Sequence, residues 1–230
     1  MIYKIKPDSD FEEIYQICRP FTMTSKERMY ALYQGCIYVI KNNIDGDFVE
    51  CGVWKGGSAM IIAYVLKKLN QKRKIYLYDT FQGMPEPSEH DFGLTGDEDP
   101  EVIRLNWKNN QSESYNKWCY APLKEVRKNI LMTGYDRERV FLVKGKVENT
   151  IPKNIPSKIA LFRLDTDWYG STKHELNYLY PRLVERGVLI IDDYGHWAGS
   201  KKAVDDYFSD KRLIRLNRID YTGRIGIKVV

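Results

Sequence analysis

Short apolar runs alternate with segments of helical periodicity along most of this chain. The apolar runs predict strands over residues 47–53, 74–80, 139–144, 159–164 and 188–191. The helical spacing of apolar positions predicts helices over residues 58–69, 121–132, 171–183 and 200–208. Repeated strand–helix units are typical of a mostly parallel sheet that is covered by helices on both faces. The pattern therefore predicts a single α/β domain over the 230 residues.

The regions outside this repeat carry further signals. Residues 1–46 form a predicted N-terminal helical segment, in which Thr24 and Glu27 have the spacing of a capping box. Residues 213–219 and 225–230 predict a final hairpin. The polar segment 83–117 carries several aromatic side chains that a solvated linker would not need. We predict that it is a lid over a site, and the alternative is an insertion with no role in binding.

Composition and charge narrow the class of protein. The net charge of +5 is mild, and the basic residues of the C-terminal third are interspersed with acids, which argues against a nucleic-acid partner. A patch that attracts a phosphate-bearing substrate is the alternative. No apolar run reaches the roughly 18 residues of a membrane span, and the N-terminus lacks the apolar core of a signal peptide. Four cysteines without metal-site spacing predict a reduced, cytoplasmic protein.

A glycine-rich turn follows the first predicted strand, over residues 50–58. Glycines allow a sharp turn and a close ligand, and the next helix offers free amides at its N-terminus. The spacing differs from the dinucleotide G-x-G-x-x-G, and the charge of Glu50 suits a cationic ligand such as S-adenosylmethionine better than a pyrophosphate. Asp79, roughly 20 residues further on at a strand end, is placed to accept ribose hydroxyls. A turn without a ligand and a capping Asp are the alternatives.

Four carboxylates follow two later strands. Asp165 and Asp167 follow the fourth strand, and Asp192 and Asp193 follow the fifth. Neighbouring strands would bring these charges together, and a hard divalent cation such as Mg²⁺ would remove their repulsion. Adjacent Asp192 and Asp193 point to opposite faces of a regular strand, so both reach one ion only where the chain leaves the strand. Helix capping is the alternative. His196, just beyond, is a candidate for substrate contact or proton transfer.

Together these motifs resemble the macrocin O-methyltransferase family, also called TylF-like. The matching stretches are residues 48–58, 78–85, 164–169 and 190–197, with shorter likenesses at 20–24 and 220–224. The resemblance implies a class I methyltransferase fold, which is a Rossmann-like α/β sheet of seven strands with an antiparallel last strand. It also implies Mg²⁺-dependent transfer of a methyl group from S-adenosylmethionine to a sugar hydroxyl.

The resemblance assigns roles to the candidate residues. It implies that Mg²⁺ is bound at Asp165, Asp192 and Asp193, with Asp167 as the general base. His196 is the second catalytic candidate, because it follows the acidic motif. We expect the cofactor to be contacted by Glu50, Cys51, Gly52, Val53, Trp54, Gly57, Ser58, Asp79, Thr80 and Asp165. The expected acceptor is a small molecule that contains a sugar: a glycoside, a glycan or a nucleotide-sugar. The sequence leaves a homo-oligomer open.

Other functions fit part of the same pattern. An NAD(P)-linked sugar oxidoreductase shares the sheet and the ribose-binding acid, but it would be expected to carry G-x-G-x-x-G and a Tyr-x-x-x-Lys pair. Metal-assisted methylation also suits the vicinal hydroxyls of a catechol. A non-catalytic ligand-binding protein of a polysaccharide pathway would keep the cofactor site without turnover.

Overall fold

The computed structural model describes residues 8–96, 98–209 and 214–229. One seven-stranded sheet runs through the molecule in the order β3-β2-β1-β4-β5-β7-β6. The strands are β1 (Asp47–Cys51), β2 (Ile75–Asp79), β3 (Val140–Lys144), β4 (Ile159–Leu164), β5 (Leu183–Ile191), β6 (Asn217–Arg218) and β7 (Arg224–Ile227). Strands β1 to β5 pair in parallel, whereas β7 is antiparallel to both β5 and β6. The predicted fold class, a mostly parallel sheet with an antiparallel last strand, is confirmed.

Helices cover both faces of the sheet. They are α1 (Ser9–Cys18), α2 (Lys26–Lys41), α3 (Gly57–Lys68), α4 (Pro100–Asn109), α5 (Leu123–Leu131), α6 (Val147–Thr150), α7 (Tyr169–Leu179) and α8 (Ala198–Phe208). Single 3₁₀ turns lie at Arg19–Phe21, Arg137–Arg139 and Tyr180–Arg182. One buried cluster joins the sheet to α1, α2, α3 and α5, and a second joins it to α6, α7 and α8. Alternating strand positions supply the two clusters: Phe48 faces the first and Val49 the second.

Several boundaries differ from the sequence prediction. Ser25, not Thr24, begins α2, and its hydroxyl accepts a hydrogen bond from the Arg28 amide at 3.2 Å. Thr24 is unavailable as a cap because its hydroxyl accepts from a buried guanidinium, that of Arg163. Pro181 falls in a 3₁₀ turn, so α7 ends early and β5 starts at Leu183. Helix α1 was not predicted as a separate element. The final hairpin is confirmed between β6 and β7, although Leu213 and Val230 lie outside the described residues.

Segment 83–117 contains α4 and folds back onto the carboxyl edge of the sheet. The Trp107 indole donates to the Met84 carbonyl at 2.9 Å, and the Leu94 amide donates to the His196 carbonyl at 2.8 Å. Gly93 forms an isolated β-bridge with Trp197. The segment therefore has structure of its own. Among the residues described, none of the helices combines the length and hydrophobicity needed to span a lipid bilayer.

Candidate active site

A cavity of about 330 Å³ lies at the carboxyl ends of β1, β2, β4 and β5, within the usual size range of small-molecule sites. Eleven of the residues proposed from sequence line it together: Gly52, Val53, Trp54, Ser58, Asp79, Thr80, Asp165, Asp167, Asp192, Asp193 and His196. Glu50, Cys51 and Gly57 are not among its lining residues. The sheet thus gathers motifs that are more than 100 residues apart in sequence into one space, as expected for this topology.

The glycine turn is held in place by Asp79. One carboxylate oxygen of Asp79 accepts the amides of Val53 at 2.7 Å and Trp54 at 3.1 Å, and the other accepts the Phe81 amide at 2.6 Å. Burial nevertheless raises the pKa of Asp79, since these amide bonds only partly offset the lost solvation. Asp79 therefore shapes the turn.

Glu50 and Cys51 are buried inside the fold and do not line the cavity. Glu50 lies directly opposite Arg163 in the β1–β4 register, and Arg163 Nη1 donates to Glu50 Oε1 at 2.7 Å. Burial raises the pKa of Glu50 to about 8, although the Arg163 charge opposes that shift. The other oxygen of Glu50 has no hydrogen-bond partner in the described part of the chain. Cys51 is fully buried in the second core cluster, on the opposite face of the strand.

Three carboxylates converge at the floor of the cavity. Asp165, Asp167 and Asp193 each offer an oxygen within 4.8 Å of the others. Burial, together with repulsion from Asp165, raises the pKa of Asp167 to about 7. Burial and repulsion from Asp167 raise the pKa of Asp193 well above its ordinary value. An all-oxygen donor set of three acids, of which only Asp165 is paired with an arginine among the described residues, fits a hard divalent cation such as Mg²⁺.

Asp192 has a different environment. Its Oδ1 accepts from Arg163 Nη2 at 2.6 Å, and its Oδ2 pairs with Arg28. Asp192 continues the side-chain alternation of β5, so it faces the arginines, whereas Asp193 turns toward Asp167. Asp167 thus occupies the place in the converging group where the sequence led us to expect Asp192.

Two arginines that the sequence analysis did not single out organise these acids. Arg163, which is 1% exposed, donates to Glu50, Asp165 and Asp192. Arg28 pairs with Asp192 and, at 3.0 Å, with Asp220. A signal for Arg163 was present, because a charged residue inside an apolar strand must be paired with buried acids. No comparable signal existed for Arg28, which lies on a helix of mixed polarity.

The helix-capping alternative does not describe these acids. The first amide of α7, that of Tyr169, donates to Asp91 Oδ1 at 2.7 Å, so Asp91 from segment 83–117 caps this helix. The N-cap of α8 is Trp197, which makes no side-chain capping bond. Neither Asp167 nor Asp193 acts as the cap of the helix that follows it.

Trp118 and Trp197 line the cavity, and Trp168 packs against both of them. Trp118, Trp168 and Trp197 pack edge to face, with ring centroids 5.1 to 6.3 Å apart. His196 also lines the cavity; its Nε2 lies 3.8 Å from Glu98 Oε2, and its buried Nδ1 has no partner among the described residues. Segment 83–117 contributes Glu98 here and Met84 and Pro85 to the lining.

Comparison with known proteins places the chain among O-methyltransferases. The sequence profile described as Macrocin-O-methyltransferase (TylF) matches residues 18–225. Demethyldecarbamoylnovobiocin O-methyltransferase of Streptomyces niveus is 33% identical over 187 residues, which are 81% of this chain and 67% of the relative. Mycinamicin III 3''-O-methyltransferase of Micromonospora griseorubida is 30% identical over 176 residues, 75% of this chain and 65% of the relative. The chain thus spans about two thirds of the length of these relatives.

A solved structure supports the same similarity to O-methyltransferases. The solved structure of the O-methyltransferase NovP superposes with a TM-score of 0.79 at 30% identity, covering 91% of this chain and 83% of that one.

Proposed function

Because the chain belongs to the macrocin O-methyltransferase family, we propose that this O-methyltransferase acts on a hydroxyl of a sugar-containing acceptor and requires a divalent cation, Mg²⁺. S-adenosylmethionine is the methyl donor of the family. Family membership excludes the NAD(P)-linked oxidoreductase and the non-catalytic protein that the sequence left open. Two related enzymes are named for antibiotic substrates, which supports a glycoside acceptor here.

A single observation carries the metal-dependent part of the proposal. Asp165, Asp167 and Asp193 converge in the cavity that the glycine turn also lines. Three acids this close, two of them with raised pKa values, are unfavourable without a counter-charge. The only basic side chain that contacts the converging group, within the described residues, is Arg163, through Asp165.

We assign the cation to Asp165 and Asp193, with Asp192 as the third ligand that the resemblance implies. Each oxygen of Asp192 accepts one bond from an arginine and keeps a lone pair. Mg²⁺ bound by these residues would favour ionisation of an acceptor hydroxyl. Asp167 is then free to take up the hydroxyl proton as the general base.

The remaining residues would bind and orient the cofactor and the acceptor, and they would exclude water. The Gly52–Trp54 turn and Asp79 would hold the S-adenosylmethionine, which would supply the methyl group when bound. Trp118 and Trp197 offer an apolar face against which a sugar ring would pack. We propose that segment 83–117 acts as the lid, since it supplies Met84 and Pro85 to the cavity and packs against Trp168 and Trp197.

The test combines metal binding with turnover. Asp165→Ala and Asp193→Ala are expected to lose calorimetric Mg²⁺ binding and methyl transfer, while binding of S-adenosylhomocysteine stays measurable. Asp206→Ala, which removes an exposed acid paired with Lys202, is the control. Turnover is read by mass spectrometry on glycosides, nucleotide-sugars and catechols. Methyl transfer that survives full chelation with EDTA would contradict the metal role.

A second pair of variants decides the role of Asp167. If Asp167 is the base, Asp167→Asn keeps Mg²⁺ affinity and lowers kcat by at least about a hundredfold, whereas Asp192→Asn weakens Mg²⁺ binding. If Asp167 is instead the third ligand, as its position in the cluster allows, Asp167→Asn weakens Mg²⁺ binding and Asp192→Asn does not. The two assignments therefore predict opposite calorimetric results.

A further inference from the structure

Glu175 is a buried acid that lies directly behind the acidic loop of residues 165–167. Its side chain extends from α7 and is fully buried. The Thr166 hydroxyl lies 3.0 Å from Glu175 Oε1 and 3.2 Å from Oε2. The thiol of Cys51, at the end of β1, is a further hydrogen-bond neighbour. One carboxyl group therefore contacts both the strand end before the glycine turn and the loop that carries two acids of the site.

The surroundings of Glu175 disfavour its charged form. It lies on the face of α7 that also buries Leu176 and Leu179, and no Lys or Arg of the described residues pairs with it. Burial raises the pKa of Glu175 well above its ordinary value. A neutral carboxylic acid can donate one hydrogen bond and accept others, which an ionised one cannot.

Thr166 is one of the points at which the loop is attached to the rest of the fold. Its carbonyl oxygen accepts the Trp168 amide at 2.7 Å and the Ser171 hydroxyl at 3.2 Å, while its own hydroxyl bonds Glu175. The next residue, Asp167, has φ of +64°, in the left-handed region that a side chain other than glycine adopts only when neighbours hold it. Glu175 is one of those neighbours, through Thr166.

We propose that Glu175 is a positioning residue of the methyltransferase site, whose hydrogen bond to Thr166 holds Asp165 and Asp167 toward Asp193. This inference rests on the proposed function, because the loop geometry matters through the cation and the proton that these acids handle. Glu175 touches neither the cofactor nor the acceptor in this arrangement and acts through Thr166.

Four single variants test the hydrogen bond from both ends. Glu175→Gln and Thr166→Ser keep a hydrogen-bonding pair of similar size, and we expect Mg²⁺ affinity and kcat within about threefold of the wild type. Glu175→Leu and Thr166→Val remove one partner, and we expect Mg²⁺ affinity and kcat each to fall by about tenfold or more. The affinity for S-adenosylhomocysteine is expected to stay within about threefold in all four.

The double variant Glu175→Leu/Thr166→Val is expected to lose no more Mg²⁺ affinity than the larger single loss, because both changes break one interaction. Calorimetry is performed well below the melting temperature of each variant, so that folded protein is compared with folded protein. Thr166→Val is the milder change, and it keeps the test open if Glu175→Leu does not fold.

Two results would overturn the inference. Normal Mg²⁺ affinity and kcat in Glu175→Leu and Thr166→Val would show that Glu175 only fills space. Equal losses of Mg²⁺ and S-adenosylhomocysteine binding, without rescue by Glu175→Gln, would show a general structural defect. Absence of Mg²⁺ binding in the wild-type chain would overturn the proposed function and this inference together, and that result is seen before any variant is made.

Discussion

At the scale of single residues, the acids of the site divide into two groups with different neighbours. Asp165 and Asp192 pair with Arg163. Asp167 and Asp193 pair with no Lys or Arg of the described residues, and their raised pKa values follow from burial and mutual repulsion. A carboxyl group whose pKa is raised in the fold costs no stability at a pH where both states are protonated, and its cost grows as pH rises from the unfolded pKa to the folded pKa. The charge on Asp167 therefore costs stability in the metal-free protein.

A pH dependence follows for the metal-free protein. The pKa of Asp167 is about 7 in the fold and 3.8 in its ordinary state. Between those values the folded state holds more protons than the unfolded state, so the free energy of unfolding falls as pH rises through the window. We expect thermal melting under EDTA to show a lower Tm at about pH 8 than at about pH 5, because a tenfold change in a proton-binding constant corresponds to about 1.4 kcal/mol.

The matched variant is Asp167→Asn, which should show a smaller drop in Tm over the same pH range. Saturating Mg²⁺ should raise the wild-type Tm most at the alkaline end. A variant that keeps the full wild-type pH dependence would show that Asp167 does not titrate in this window.

At the scale of elements, the glycine turn after β1 and the loop after β4 are in direct contact. The Asp165 amide donates to the Cys51 carbonyl at 2.8 Å. Gly52 has φ of +83°, and a Cβ atom on it would lie 1.8 Å from the Asp165 carbonyl oxygen. The turn that lines the cavity and the loop that carries the acids therefore meet at this backbone contact.

Gly52→Ala should consequently weaken both binding functions. We expect S-adenosylhomocysteine and Mg²⁺ affinities to fall together by about tenfold or more, because the added methyl group forces the two loops apart. Gly96→Ala is the control: Gly96 also has positive φ, +103°, but an added Cβ meets nothing within 4 Å. Calorimetric titration of both ligands checks the result, and an intact Gly52→Ala site would contradict the contact.

At the scale of the whole molecule, segment 83–117 is joined to the sheet edge through Asp91. The Asp91 carboxylate accepts the Tyr169 amide at 2.7 Å on one oxygen and the Ser88 amide at 2.7 Å on the other. It therefore connects the proposed lid to the first turn of α7, close to the acidic loop. Tryptophan packing between Trp118, Trp168 and Trp197 closes the same region.

Loss of the Asp91 carboxylate should loosen the proposed lid. Removal of a helix-capping acid costs about 1–2 kcal/mol, and we expect Asp91→Ala to speed amide hydrogen exchange in segment 83–117 by about tenfold. Asp99→Ala, which removes the cap of α4 within the same segment, is the control and should affect α4 alone. Unchanged exchange near Met84 and Pro85 in the Asp91 variant would argue against this attachment.

Local pattern determined the strand–helix repeat, because side-chain periodicity reflects which faces are buried and needs no knowledge of distant neighbours. It also determined that glycines and acids follow successive strands, which the parallel topology then places at one edge. Helix α1 was not predicted as an element separate from the rest of the N-terminal helical segment, and the start of β5 was not predicted, since a short amphipathic stretch and a Pro-containing turn carry weak local signals.

Only the tertiary structure determined which acids lie close to one another and which lie close to arginines. Asp192 and Asp193 are adjacent in sequence, yet Arg163 and Arg28 pair with the first while Asp167 lies beside the second. Pairing of this kind depends on where a strand ends and on charges from elements over 100 residues away. The hydrogen bond between Thr166 and Glu175 likewise depends on contacts that only the folded structure creates. Composition and spacing determine which reactive side chains are available. Which of the acidic side chains pair with arginines is determined only by their proximity in the folded structure.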